Sequence, residues 1–380
     1  MTLNFSNNKT YIIAEIGVNH NGKIGLAKKL IKEAKKSGAD AVKFQSFKTS
    51  AVVTKFANQA PYQKKNLKIK EKQFDMLKRY ELKNEDYYIL NNECKKLKID
   101  FISSVFDEDS VDFIKNKIKS KIFKLPSGEI NNYLILRKLK LTNYKILIST
   151  GMSNYKEIAQ SINTIGKEKI FKIIGDKVKI VNKKLFKKVK KQVCVMHCVT
   201  DYPVVKTQAN LKCIDSIKKD FDLSVGYSDH TLGIIAPIIA VSKGACVIEK
   251  HFTLDTKMKG PDHLASLEPK EFKPNCKEFR LRSWFVKTKN EYLTKYANAQ
   301  LNSPKSNGIN FMPLGRDFYY SSPCLHLDVN ITYNGTEIIY FNIENNIPEK
   351  MPSKFLTNES IDDIMNNKTF GKDRGTIVRK

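Results

Sequence analysis

Along the first two thirds of the chain, short runs of β-branched and aromatic residues alternate with amphipathic stretches of helical period. Eight runs read as strands: 11–16 (YIIAEI), 41–45 (AVKFQ), 100–105 (DFISSV), 121–125 (KIFKL), 145–150 (KILIST), 193–198 (VCVMHC), 222–227 (DLSVGY) and 246–251 (CVIEKH). Between the first two, GLAKKLIKEAKKSG (25–38) sets Leu26, Leu30 and Ala34 at helical spacing and ends on Gly38, which suits the C′ position. Alternating β and α units imply a parallel sheet. Eight of them predict an α/β fold of the (β/α)8, TIM-barrel class. A doubly wound open sheet is the alternative, but no G-x-G-x-x-G follows the first strand. Residues 305–345 change character, with β-rich runs and a hairpin signal at Asn334–Gly335. The expected division is a barrel over 1–285, with a basic insert at 167–192, and a small β-rich C-terminal segment over 286–380.

In such a barrel the chemistry lies at the C-terminal strand ends. Those ends carry Glu15, Lys43, Ser104, Lys124, Ser149, the Cys198–Tyr202 turn, Ser228 to His230, and Lys250 with His251. A wet rim accounts for some hydroxyls. It does not account for lysines inside the apolar runs AVKFQ and FKLPSGE, because a buried lysine needs a partner anion or loses its charge. Three lysines and several hydroxyls converging on one mouth describe a site for phosphate and carboxylate. His230 and His251 end adjacent strands. Imidazole binds Mn, Fe, Co or Zn well and Mg less readily, and an ion held by only two histidines stays open to water and substrate. Cys194 and Cys198 share a strand face but lie roughly 13 Å apart at ~3.3 Å per residue, too far for one ion, and read as core cysteines. His263 is a loop residue, either a substrate contact or solvated. His326 has no visible partner.

Composition narrows the classes. The 380 residues are 41% apolar, with 21 Phe and 16 Tyr, enough for a sizeable core. The start, MTLNFSNNKT, is polar, and the most apolar stretch, LGIIAPIIAVSKGACVI, is broken by Pro237, Ser242, Lys243 and Gly244. Neither a signal peptide nor a membrane span is expected. Seven cysteines without regular spacing fit a reduced, cytoplasmic chain. The net charge of +28 points at face value to nucleic acid. Yet residues 167–192 hold eleven Lys against one Glu and one Asp, and the remainder is spread over Lys-rich helices. No nucleic-acid partner is expected. The insert stands in for an αβ connection that usually needs about 2–6 residues. Such connections open on the face away from the chemistry, so it reads as decoration.

The motifs AEIGVNHNG (14–22), VKFQSF (42–47), FKLPSGEINN (123–132), ISTGM (148–152), HCVTDYP (197–203), GYSDHT (226–231), EKHFT (249–253) and GPDHLASLEP (260–269), in this order, resemble the sialic acid synthase family. The resemblance spans about residues 8–272. Such enzymes join phosphoenolpyruvate (PEP) to an N-acylated aldose such as N-acetylmannosamine, giving a nonulosonic acid and phosphate. The GPDHLASLEP stretch leans to neuraminic or legionaminic types over pseudaminic ones. The resemblance places a divalent metal on His230 and His251, with Mn2+ expected and Mg2+ or Co2+ as alternatives. PEP falls to Lys43, Ser104, Lys124, Ser127, Ser149, Thr200 and Ser228. Ser104 stands where relatives often have Thr, and Thr200 where Asn or Ser is common. Glu129, Tyr202 and Asp262 match positions holding the sugar. Glu15 is the acid near the reacting carbons, catalytic together with the two histidines. The expected partners are PEP and the aldose, with no membrane and no nucleic acid, in a homodimer. The family normally ends in an antifreeze-like domain whose basic motif reaches the partner subunit's site. That motif is not recognisable here; LGRDF (314–318) offers Arg316 without the flanking pattern. Two rival readings stand beside this one: a Schiff-base aldolase using Lys124 as nucleophile, and a barrel that has lost its activity and serves as a binding protein.

Overall fold

The computed structural model describes residues 3–5, 9–139, 144–273 and two short strands at 339–342 and 347–350. Eight parallel strands close into a barrel: β1 (Tyr11–Gly17), β2 (Ala41–Ser46), β3 (Asp100–Val105), β4 (Ile122–Leu125), β5 (Lys145–Ser149), β8 (Val193–Cys198), β9 (Ser224–Asp229) and β10 (Val247–His251), with β10 hydrogen-bonded back to β1. The gap in this numbering is a hairpin outside the barrel, β6 (Phe171–Ile174) with β7 (Lys177–Ile180). The TIM-barrel expectation therefore holds, with each of the eight predicted strands in place. Most boundaries agree within one residue, and one strand shifts by two. The seventh barrel strand runs from Ser224 to Asp229, because Asp222 takes a left-handed conformation (φ 49°) that caps the helix before it.

Helices cover the barrel in chain order: α1 (Ile24–Lys36), α2 (Thr49–Val52), α3 (Pro61–Leu67), α4 (Gln73–Tyr80), α5 (Asn84–Leu97), α6 (Glu108–Asp112), α7 (Tyr133–Lys138), α8 (Tyr155–Gly166), α9 (Lys183–Gln192), α10 (Lys212–Phe221) and α11 (Ile235–Ser242). The first shows the logic. Ala27, Leu30, Ile31 and Ala34 form its buried stripe, Lys35 and Lys36 sit at the negative end of its dipole, and Gly38 ends it at φ 93°. Truncating Leu30, which is fully buried, would cost about 2–5 kcal/mol. Side chains alternate along each strand. One set (Ile12, Ala14, Ile16) joins the helix layer; the other (Tyr11, Ile13, Glu15) faces the barrel interior. Leu3 and Phe5 belong to the same interior cluster as Tyr11, Ile13 and Leu147. The lower interior is thus packed and apolar, and only the upper layer is polar.

The insert is more than a loop. Its FKII and KVKI runs alternate with period two and pair as the β6–β7 hairpin, and ten further residues form α9. Phe171 and Val189 are buried, and the Phe171 ring meets Phe186 edge-on at 5.9 Å and Phe221 at 5.4 Å. The density of lysine hid this seam from the sequence reading. The expected placement survives, since α9 leads straight into the start of β8, at the N-terminal end of the strands.

In the C-terminal segment, Ile339–Asn342 pairs antiparallel with Ile347–Lys350. The Asn334–Gly335 turn, Arg316, His326 and the 285/286 boundary lie outside the described residues. Among the described residues, no helix is long and apolar enough to cross a membrane.

Candidate active site

Register assembles the site. In parallel strands, paired residues point to the same side. Glu15 pairs with Lys43 on one flank and His251 on the other. Ser104 pairs with Lys124, and Ser228 with Glu249. These upper-layer side chains line a cavity of about 370 Å³ at the C-terminal strand ends. All thirteen residues expected from the sequence line it: Glu15, Lys43, Ser104, Lys124, Ser127, Glu129, Ser149, Thr200, Tyr202, Ser228, His230, His251 and Asp262. Gly17 makes the first strand end possible. Its φ is +53°, and a Cβ there would come within 2.9 Å of the Glu15 carboxylate.

The floor of the cavity is a closed network of two lysines and two carboxylates. Lys43 Nζ lies 2.8 Å from Glu15 Oε2, donates to Ser104 Oγ at 2.8 Å, and stands 3.6 Å from Glu249 Oε1. Lys124 Nζ donates to both oxygens of Glu249, at 2.8 and 2.7 Å, and Ser228 Oγ donates to the same carboxylate at 3.0 Å. Gln45 donates to Glu15 Oε1 at 3.2 Å. None of the four charged side chains is more than 5% exposed. Their environments separate the two acids. Burial lifts the Glu15 carboxyl to about 7 despite the nearby Lys43. Burial also opposes the charge of Glu249, but Lys124 and Lys43 outweigh it and hold that carboxyl at about 2. Burial likewise opposes the ammonium of Lys43, and its two glutamates more than compensate, raising it. Burial pulls Lys124 down while Glu249 pulls it up, and the net direction is down.

Beside this network stand the two histidines, ring centroids 5.4 Å apart. His230 Nδ1 lies 2.7 Å from the Val199 carbonyl. A carbonyl can only accept, so Nδ1 carries a proton, and in the neutral ring Nε2 keeps its lone pair. A backbone carbonyl on the far nitrogen is the usual way a ligating imidazole is oriented. His251 Nδ1 is buried without a hydrogen bond and lies 4.0 Å from Asp262 Oδ2. Burial, then the neighbouring His230, keep His251 well below its ordinary value and hence neutral. Two neutral-capable imidazoles, one oriented and one with an orphaned nitrogen, fit a divalent ion. Among the described residues no group of three or more His, Cys, Asp or Glu is placed to hold one. Any further coordination positions would therefore fall to water or substrate. Ser149 Oγ is also buried without a partner, an unused hydroxyl in the cavity wall.

The outer wall comes from the long excursion between β2 and α5. Tyr62 of α3 stacks on Tyr202 at 4.8 Å, and Asn66 donates to the Pro261 carbonyl at 2.6 Å. Val52, Val53, Met76, Leu77 and Tyr80 give this wall an apolar face. Next to Pro261, burial lifts Asp262 to about 6, and burial also raises Glu129, which accepts from Asn132 at 2.8 Å.

Three sequence readings change. Lys250 is not a third lysine of the mouth. Strand alternation sends it outward, to Asp229 at 2.5 Å, with both side chains fully buried. The same alternation turns Glu249 inward, two residues before His251, and the sequence reading missed it as a site residue. Gln45 and the α3–α4 residues were missed too. Cys198 is no mere core cysteine, since it lines the cavity with Sγ 3.9 Å from His230 Nδ1. Cys194 does lie in the interior, 3.9 Å from the Cys246 sulfur. His263 is neither a substrate contact nor solvated: it is buried against Thr253 Oγ1 at 2.7 Å and Asn21 Oδ1 at 3.3 Å.

Known proteins resemble this chain. The NeuB family pattern matches residues 30–290. The N,N'-diacetyllegionaminic acid synthase of Campylobacter jejuni is 47% identical over 272 residues, covering 72% of this chain and 76% of that one. The enzyme of the same name from Legionella pneumophila is 43% identical over 263 residues, covering 69% of each chain. Among solved structures, the N-acetylneuraminic acid synthetase of Leptospira borgpetersenii superimposes with a TM-score of 0.60 at 26% identity, covering 80% of this chain and 98% of that one. The chain belongs to the NeuB family and is an enzyme of the sialic acid synthase type, a maker of nonulosonic acids.

Proposed function

We propose that the chain condenses PEP with an N-acylated aldose to give a nonulosonic acid and phosphate. One observation carries this reading: the two buried lysines are already matched by two buried glutamates, directly beside two histidines, of which His230 is oriented by the Val199 carbonyl. Lysines already paired with carboxylates leave little positive charge over for a substrate bearing both a phosphate and a carboxylate. A divalent cation on His230 and His251 would restore the balance: Mn2+ as the resemblance implies, or Co2+, both of which imidazole takes more readily than Mg2+. When bound it would supply Lewis acidity toward a carbonyl oxygen.

The remaining work belongs to the chain's own residues. Lys43 and Lys124 would fix the anionic groups of PEP, with hydroxyls from Ser104, Ser127, Ser149, Thr200 and Ser228 completing the cradle. The unused Ser149 hydroxyl is the clearest vacancy for such a bond. Glu129, Tyr202 and Asp262 would orient the sugar so that its aldehyde carbon meets C3 of PEP. As that bond forms, positive charge grows on C2 and water adds there. The C2–O bond to phosphate then breaks and inorganic phosphate leaves. Glu15, with its carboxyl lifted to about 7, can take the proton of that water near neutral pH or face the cationic centre as a carboxylate.

For the sugar, we propose a diacetamido aldose of legionaminic type. The apolar wall of Val52, Val53, Met76 and Leu77 suits acyl and deoxy groups. Among the described lining residues the only Lys or Arg are Lys43 and Lys124, so no additional cation awaits a sugar phosphate. A homodimer remains part of the proposal, and light scattering tests it. The Schiff-base reading is weaker. Both oxygens of Glu249 engage Lys124 Nζ at 2.7–2.8 Å, so the nitrogen is held in the floor and not presented to a carbonyl carbon.

The test is phosphate release from PEP with Mn2+ and a panel of 2-acetamido, 2,4-diacetamido and 6-phosphorylated aldoses. Release with an unphosphorylated acylated sugar, abolished by EDTA and restored by Mn2+ or Co2+, is expected. No release with any sugar would favour the binding-protein reading. Borohydride trapping of a sugar or pyruvate adduct on Lys124 would favour the aldolase.

A further inference from the structure

The geometry points to the hairpin–helix insert as a docking surface for an anionic lipid bilayer, at the end of the barrel opposite the active site. The β6–β7 and α9 unit breaks two electrostatic rules at once. In the hairpin, Lys172 pairs directly with Lys179, and Ile174 with Lys177, on the outward face. Like charges directly opposite on one face repel. In α9, Lys183 and Lys184 open the helix, and no acidic residue stands in its first turn. That places cations at the positive end of the helix dipole. All eleven lysines of residues 167–192 are exposed. Lys190 has a carboxylate partner, Asp222, at 2.6 Å. Lys172, Lys177 and Lys179 have no carboxylate within ion-pair distance among the described residues. An uncompensated positive face of this size is relieved by a surface of opposite sign.

The apolar residues choose the partner. Ile174, at the hairpin tip, is 50% exposed and Val181 is 45% exposed, both set among the lysines. The inward seam of Phe171 and Phe186 is already used against the core, so the two aromatic residues of the insert are buried. The insert contains no arginine. Nucleic-acid recognition draws on arginine forks and exposed aromatic platforms, and neither is present. Lysines ringing a few exposed aliphatic side chains match the headgroup layer of an anionic membrane, where charge attracts and aliphatic tips bury. This surface association needs no membrane span, and it revises the sequence expectation that the chain has no membrane partner. It also does not depend on the reaction at the mouth.

The experiment is co-sedimentation of the full chain with vesicles of equal parts phosphatidylglycerol and phosphatidylcholine, and with vesicles of phosphatidylcholine alone. Binding to the first and not the second is expected, weakening as salt rises. The double variant Lys172→Glu/Lys179→Glu should lower the partition coefficient at least roughly tenfold, by losing two lysine attractions and adding two repulsive carboxylates. Ile174→Ser should lower it by a smaller factor. The control, Lys29→Glu/Lys32→Glu on the exposed face of α1, changes the net charge equally and should bind nearly as well as the unaltered chain. Circular dichroism and thermal unfolding should be the same for all of them, which shows they are folded, and phosphate release in solution should not change. Failure to bind anionic vesicles overturns the proposal. So does equal loss in both double variants, or duplex DNA displacing the vesicles from the chain at matched phosphate concentration.

Discussion

Lysine does opposite things at the two ends of the barrel. At the mouth, Lys43 and Lys124 are 3% and 2% exposed, and each is held by a carboxylate within 2.8 Å. In the insert, every lysine is exposed and the hairpin sets two of them face to face. The first arrangement is stable only because opposite charges were buried together. The second is tolerated only because water screens it. Charge in the mouth is therefore a matter of exact partners, while charge in the insert is a matter of field. The same residue type should answer to mutation in different ways and by different amounts.

The sharpest way to break the contrast is to remove a partner at each end. Glu249→Leu would leave Lys124 without its carboxylate in a buried site, and should cost about 3–5 kcal/mol in urea unfolding. Asp222→Asn takes the partner of the exposed Lys190 and keeps a residue that accepts a left-handed backbone. It should cost about 0–1 kcal/mol. Comparable losses would show that burial does not govern the network. The pH dependence has a definite sign. The carboxyl of Glu249 is held at about 2, below its ordinary 4.5. Its contribution to stability is therefore present above pH 4.5 and is lost as the pH falls through about 2. Glu249→Gln should lack that acid limb.

The histidine pair comes next. His230→Ala and His251→Ala should each cut the PEP-dependent rate by at least roughly a hundredfold, because ligand loss should exceed the penalty of losing an outer-shell support. Each should also weaken Mn2+ binding measured by calorimetry. Full activity in either variant, after verified metal removal, would sink the metal assignment and leave the histidines as wall residues.

How much of this was visible in the sequence follows the same division. Strand positions were legible because an apolar run bounded by turn residues has few other uses. The inward residues His251, Ser228 and Lys43 were legible because a polar side chain at the end of such a run is conspicuous. Lys250 and Glu249 were harder. Both lie within one run, and only the phase of the strand decides that Glu249 enters the cavity and Lys250 joins Asp229 behind it. The α3–α4 wall and the Tyr62–Tyr202 stack depend on contacts between residues 140 apart in the sequence, which no local pattern encodes. The hairpin was missed for the opposite reason. Its period-two pattern is present in FKII and KVKI, but lysine occupies the alternate positions and masks it.

Glu15 tests whether the mouth tunes its acids separately. With its free carboxyl at about 7, kcat/KM for PEP should rise with pH through that value if the carboxylate is the working form, falling about tenfold per unit on the acid side. Glu15→Gln should flatten whatever rate remains. Glu15→Asp, still ionisable but one methylene further from Lys43, should move the limb. A profile unchanged in both variants would assign the proton transfer elsewhere.

The smallest effect belongs to the insert, and it runs in the unusual direction. Lys172→Glu places an acid directly opposite Lys179 on the exposed face of the β6–β7 hairpin. It replaces a like-charge pair with an opposite pair, worth about 0.2–1 kcal/mol for a cross-strand contact. The chain should become slightly more stable, and phosphate release should be unchanged because the hairpin lies at the far end of the barrel from the cavity. The gain should shrink in high salt, since exposed charges a few ångströms apart in water are partly screened. Thermal unfolding at low and high salt measures both. A loss of stability on this substitution would show that the lysine pair is not a repulsive contact. The charge of the insert would then be that of any water-solvated face, without the repulsion that singles it out as a docking face.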